Sequence, residues 1–219
     1  MTSAAPTKPR RPRPETAVVT KTIVIVTSIA YLLASVVGND WAAAAGGFIP
    51  ARISGALVLN GAAPVWLTPL TSTIIHGGLI HLLFNMLMLG YCGREVELAT
   101  SPRAMILLYV AGAYAAAFAQ YVAGPLDTAP MVGASGAASA VLGAYALIFG
   151  RRRVQTRHAL LNRALHVIWL AAAWIGIQLL MGLAGASGGM PIAIAAHIGG
   201  FLAGLALAGP LLRWRYRDA

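Results

Sequence analysis

GASGAASAVLGAYALIFGRRR, residues 133–153, reads as an apolar helix with a serine one residue in from its start and arginines at its end. A run this apolar belongs in lipid, where strongly polar groups are costly and mark functional sites. Ser135 is such a group. Two other apolar stretches carry polar residues of their own, His76, His81 and Asn85 in one and His197 in the other. Whether these residues meet depends on how many times the chain crosses the bilayer, and in which direction.

Composition favours the membrane class. The chain has 219 residues, 58% hydrophobic and 10% charged, with a mean hydropathy of +0.74; soluble domains are closer to a quarter charged. The net charge is +10, but the basic residues fall in short blocks between apolar runs. That is the pattern of a cytoplasmic membrane face, and no nucleic-acid partner is expected. Cys92 is the only cysteine, which excludes an intrachain disulfide. None of the six acidic residues lies deep in an apolar run, leaving little material for an aspartyl or proton-pumping site.

A helix needs about 20 apolar residues to cross the hydrocarbon core. Six segments meet or approach this: Thr20–Gly38, Ile75–Gly93, Arg103–Val122, Ala134–Gly150, Leu165–Ala184 and Ile192–Leu212. Fifteen of the 16 Lys and Arg residues fall at the N-terminus, the C-terminus, the second-to-third connection and the fourth-to-fifth connection. The other three connections share only Arg52. By the positive-inside rule both termini are cytoplasmic and the number of spans is even. The expected protein is an all-α polytopic bundle of six helices over residues 17–213. It is preceded by a disordered, Pro- and Arg-rich cytoplasmic tail (1–16) and followed by a short cytoplasmic tail (214–219). Residues 1–45 carry the outline of a signal peptide, but a small-residue stretch alone is weak evidence for cleavage. Trp41–Pro69 is too apolar for a solvated loop and too rich in Gly and Pro for a span, so it reads as interfacial or partly embedded.

With this topology the even-numbered helices run from outside to inside. Ser135 precedes Arg151 by 16 residues, as His197 precedes Arg213, which places each about 24 Å above its arginine. His81 precedes Arg94 by 13 residues and stands about 20 Å above it. Three helices thus bring a serine and two histidines to nearly one depth. Asn85 shares a helical face with His81. Small residues flank both key positions: Gly133, Gly136 and Ala140 on one helix, and Gly199, Gly200 and Gly204 on the other, with Gly200 and Gly204 forming a small-xxx-small seam.

Serine is a poor nucleophile until a base takes its proton, and histidine is the usual base. Attack on a peptide carbonyl also creates an oxyanion that needs donors already in place. Ser135 suits the nucleophile and His197 the base, with His81, Asn85 and the Ser135 backbone N–H for the oxyanion. Asp127, in the preceding outer loop, is the only nearby carboxylate, and the site reads as a dyad. His76 reads as a brace for the first loop, Gln178 as polar glue between helices, and Glu97 with Arg94 as a tie on a cytoplasmic turn.

The chain resembles the rhomboid family of intramembrane serine proteases. The matching motifs are His76-Gly77-Gly78-Leu79-Ile80-His81-Leu82-Leu83-Phe84-Asn85, then Gly93 and Glu97, Gly133-Ala134-Ser135-Gly136, and Ala196-His197-Ile198-Gly199-Gly200 with Gly204. They occur in order and on the expected spans. The resemblance implies a six-helix core in a bacterial plasma membrane that cleaves transmembrane protein substrates near the outer leaflet, with no metal or organic cofactor. It also implies a Ser135–His197 dyad, with His81, Asn85 and Gly133 serving oxyanion and substrate, and His76, Gly136 and Gly200 in support. In that family the first loop lies in the membrane beside the core. Two positions depart from the pattern. Trp66 is followed by Leu67 where the family commonly has Trp-Arg, and Ser139 stands where many members stack an aromatic on the histidine.

Other readings of the same residues are weaker. His76, His81 and His197 number enough for a catalytic zinc site, but no HExxH is present and no carboxylate lies deep enough to assist. A non-catalytic rhomboid-like protein that binds membrane proteins should have lost the serine or the histidine, and this chain has both. Nothing in the sequence sets an oligomeric state.

Overall fold

The computed structural model describes residues 16–151, 156–188 and 193–217, with side chains of residues 181–188 left aside. Nearly all of the expected N-terminal tail, Arg152 and Arg153, and the last two residues of the C-terminal tail lie outside the described residues. Among the described residues all regular elements are helical. The long helices are α1 (Val18–Val37), α2 (Leu79–Ala99), α3 (Pro102–Ala123), α4 (Ser135–Phe149), α5 (Ala159–Gly188) and α6 (Ile194–Tyr216).

Four of these are long and apolar enough to cross a membrane: α1, α3, α5 and α6. Counting the bent pair Val65–Ile74 and Leu79–Ala99 as one span gives a fifth. The expected six crossings are therefore not reached on length alone. The shortfall is α4, whose 15 residues rise only about 22 Å. Protein rather than lipid surrounds it: Gly136 through Val141, Gly143 and Ala144 are all buried. Its exposed end is the last one, at Phe149 and Gly150, so the enclosure covers the first two-thirds of the helix. By contrast, α2 exposes Ile80, Leu83, Phe84, Leu87 and Tyr91 as one apolar stripe at helical spacing, a face suited to lipid.

α4 and α6 meet backbone to backbone. A Cβ on Gly200 would lie 2.0 Å from the carbonyl oxygen of Gly136, and one on Gly204 1.9 Å from that of Ala140. Only glycine allows this approach, and the seam pairs the residues that their spacing suggested. Gly199 differs: it faces α3, where its Cβ would meet Ala119 at 2.4 Å. One residue is about 100° around a helix, which carries it off the α4 face.

The second span also differs from expectation. Its helix begins at Leu79, not Ile75, after a 90° bend from the short helical turns of Val65–Ile74. It then continues through a π-turn at Leu89–Gly93 to Ala99. His76 thus precedes the helix and is free to reach another element. Glu97 closes the far end of α2 onto α1. Its carboxylate, 0% exposed, accepts from the backbone N–H of Val19 (3.0 Å) and Thr20 (2.8 Å) and from the Thr20 hydroxyl (2.7 Å). A carboxylate satisfying the orphan donors of a helix N-terminus is favourable both as a hydrogen-bond acceptor and as a charge against the helix dipole. Arg94 takes no part in this tie and pairs with Glu95.

The first loop is built from short helices, Asn39–Gly46 and Pro50–Ile53, and its backbone is well partnered. Phe48 bridges to Met131, Ala51 N–H donates to Asp127 O (3.0 Å), and Ala63 N–H donates to Ala45 O (2.7 Å). Leu67 stands where the family commonly has arginine, and other side chains anchor the loop, Arg52 and Tyr114 among them. Arg52 donates to Ala63 O (2.8 Å), and the Tyr114 hydroxyl donates to Trp66 O (3.0 Å).

Candidate active site

Ser135 is the first residue of α4. The chain reaches it through Gly133, whose φ of +114° is disfavoured for any residue with a side chain. A Cβ there would also lie 2.6 Å from the His81 ring, so glycine serves both the turn and the imidazole beside it. Two contacts hold this approach. Gly133 N–H donates to Ser72 O (2.9 Å), and Ala134 N–H donates to His76 Nε2 (3.3 Å). His76 is 0% exposed and meets the His81 ring edge-on, with centroids 5.0 Å apart. The element it contacts is the segment before the serine, where a brace of the first loop was expected.

His197 sits on the first turn of α6. Its Nε2 is 2.8 Å from Ser135 Oγ, a full hydrogen bond between residues 62 apart in sequence. Its Nδ1 is 3.0 Å from Gln178 Oε1 on α5. One turn earlier on α5, Trp174 Nε1–H donates to the His197 carbonyl (3.2 Å), and its ring stacks on Phe201 at 5.1 Å. Gly136 and Gly200 lie at the seam beneath the dyad, where they let the two backbones close.

Asn85 is buried one turn below His81 and donates one amide N–H to the His81 carbonyl (2.8 Å). An amide nitrogen has two hydrogens, so this contact leaves one for another acceptor. Asp127 is not at the site: its carboxylate accepts from Ala129 N–H, and its carbonyl serves the first loop. His76, His81 and His197 do not converge as ligands, since His76 Nε2 is engaged by a backbone N–H and both His197 nitrogens have partners. Among the described residues no three His, Cys, Asp or Glu side chains gather to hold a metal. A void of about 10 Å³ beside Ser135, lined in part by Ser72, Thr73, Met131 and Ala196, has room for about one water.

The contact that sequence reasoning missed is Gln178 on His197. The available signal was an amide in an apolar stretch of helix, which says that a partner exists without saying which one.

A family model described as Rhomboid domain matches residues 64–214. Over 136 residues the chain is 30% identical to rhomboid-related protein 2 of Mus musculus, covering 61% of this chain and 44% of that protein. It is 32% identical over 138 residues to rhomboid protease GlpG of Klebsiella pneumoniae strain 342, covering 61% and 44%. Against rhomboid protease GlpG of Enterobacter sp. strain 638 the figures are 30% over 143 residues, covering 63% and 46%. The chain spans under half the length of these curated relatives. With the motif order, the apolar helices and the matched domain in agreement, the chain is a multi-pass membrane protein that belongs to the rhomboid family.

Proposed function

We propose that the protein is an intramembrane serine endopeptidase that cleaves transmembrane segments of other membrane proteins near the outer leaflet of a bacterial plasma membrane. It crosses the bilayer six times with both termini cytoplasmic, α4 being the short, protein-enclosed crossing. The observation that carries the reading is the 2.8 Å contact between Ser135 Oγ and His197 Nε2. The family membership and the relatives named as proteases support it.

In this mechanism His197 takes the Ser135 proton as Oγ attacks the scissile carbonyl carbon. The carbonyl π electrons move onto oxygen, and that oxyanion is met by the Ser135 backbone N–H, His81 and the free amide hydrogen of Asn85. Collapse expels the amine, which receives its proton from the His197 imidazolium. Water then repeats the sequence on the acyl-enzyme and regenerates Ser135. His76 and Gly133 hold the loop so that the serine N–H and hydroxyl face the same point.

Ser135→Ala tests this directly. Cleavage of a transmembrane reporter in proteoliposomes and labelling by a fluorophosphonate probe should both fall to background, with the thermal unfolding midpoint in detergent retained. Cleavage by Ser135→Ala at the wild-type rate would overturn the serine mechanism.

A further inference from the structure

We propose that Gln178 is the positioning residue for the base, the third member of a hydrogen-bonded Ser135–His197–Gln178 chain in which a neutral amide stands where other hydrolases use a carboxylate. The proposal rests on the Ser135–His197 reading above and adds a residue to it.

Histidine has two neutral tautomers, and only one can accept the serine proton. With its amide oxygen 3.0 Å from Nδ1, Gln178 accepts the Nδ1 proton and leaves the lone pair on Nε2, the nitrogen 2.8 Å from Ser135 Oγ. When Nε2 receives the serine proton, the Nδ1 proton stays in place and its hydrogen bond becomes charge-assisted, strengthening as the transition state forms.

Three observations show that this contact is built into the fold. Gln178 is 1% exposed on a helix whose other described side chains, His166 apart, all stay at least partly exposed. Trp174, one turn away on the same face, holds the backbone of the same histidine, so α5 grips His197 at its carbonyl and its ring together. And the alternative means of holding the imidazole is missing. Ser139 faces the Gly200 seam one turn after the nucleophile, where an aromatic would stack, and among the described residues no aromatic ring packs on His197. A neutral amide also avoids burying an anion at membrane depth, where an incompletely compensated charge is costly.

The test uses the full-length protein in proteoliposomes, with a transmembrane reporter and a fluorophosphonate probe. Gln178→Leu should lower kcat and the labelling rate by about tenfold to a hundredfold, the range for a hydrogen bond to a charged group. KM and the thermal midpoint should stay near wild type. Gln178→Glu keeps the acceptor and, once ionised, sets a negative charge beside Nδ1 that stabilises the imidazolium. Because the base must be neutral, the rising limb of the pH–kcat profile should then move to higher pH. A residue that merely filled space between helices would not shift that limb. In protein carrying isotope-labelled histidine, Gln178→Leu should also return His197 to a mixture of tautomers by NMR. Wild-type kcat in Gln178→Leu, or a His197 that keeps its proton on Nδ1 alone in that variant, would overturn the proposal while leaving the dyad standing. A wild type that neither cleaves nor labels would overturn the dyad itself, and the role of Gln178 with it.

Discussion

The seam between α4 and α6 and the contact between α5 and α6 hold the same histidine by opposite means. At the seam the backbones touch with nothing between them, through Gly136, Ala140, Gly200 and Gly204. Across the α5 face the hold is polar and side-chain based, through Trp174 and Gln178, and most of that helix is left exposed. The first arrangement sets where Ser135 and His197 stand; the second sets which way the imidazole points. Close packing of small residues tolerates almost no change, because a carbonyl oxygen cannot move out of the way. Long side chains can swing and re-form their contacts.

This contrast has consequences of graded size. Gly204→Val should be the most damaging, since its Cβ would have to occupy space 1.9 Å from Ala140 O. Labelling of the serine by fluorophosphonate should vanish and the thermal midpoint should collapse. Full labelling in this variant would mean that the seam does not govern the dyad. Glu97→Ala, remote from both contacts, sharpens the comparison by separating stability from catalysis. It strands three donors on α1 and should lower unfolding stability by about 2–4 kcal/mol. The kcat of the folded fraction should be unchanged, which an active-site titration with the probe can measure. Trp174→Phe should be the mildest. It keeps a ring to stack on Phe201 and loses one neutral donor to the His197 carbonyl, worth about 0.5–1.5 kcal/mol. A threefold fall in kcat or less is expected; a loss as large as that of Gly204→Val would erase the distinction between the two contacts.

Much of the site could be read before any coordinates because depth in a membrane follows from residue counts. The distances from Ser135 and His197 to their arginines put both at one level, and helical spacing put Gly200 and Gly204 on one face. Hydropathy could not register a change of direction, so the apolar run through Ile75 hid the bend that releases His76 to reach Ala134. Hydropathy also could not say what surrounds a helix, which is why α4 looked like an ordinary span. Gln178 was recognisable as a polar residue between helices. Its partner was not. Gln178 follows Arg163 by 15 residues, about 22 Å, which gives it the depth of His197, but counting residues fixes depth and not which neighbour the helix face meets.

The Glu97 tie bears on how the molecule is made. The first turn of α1 has donors that no residue of its own segment satisfies, and their acceptor is synthesised some 77 residues later, at the far end of α2. An emerging α1 leaves these donors to water or headgroups until Glu97 arrives. It reaches its final state only once the next crossing has been threaded, so the first two helices are expected to settle as a hairpin, and the order of biogenesis is written into a single buried carboxylate.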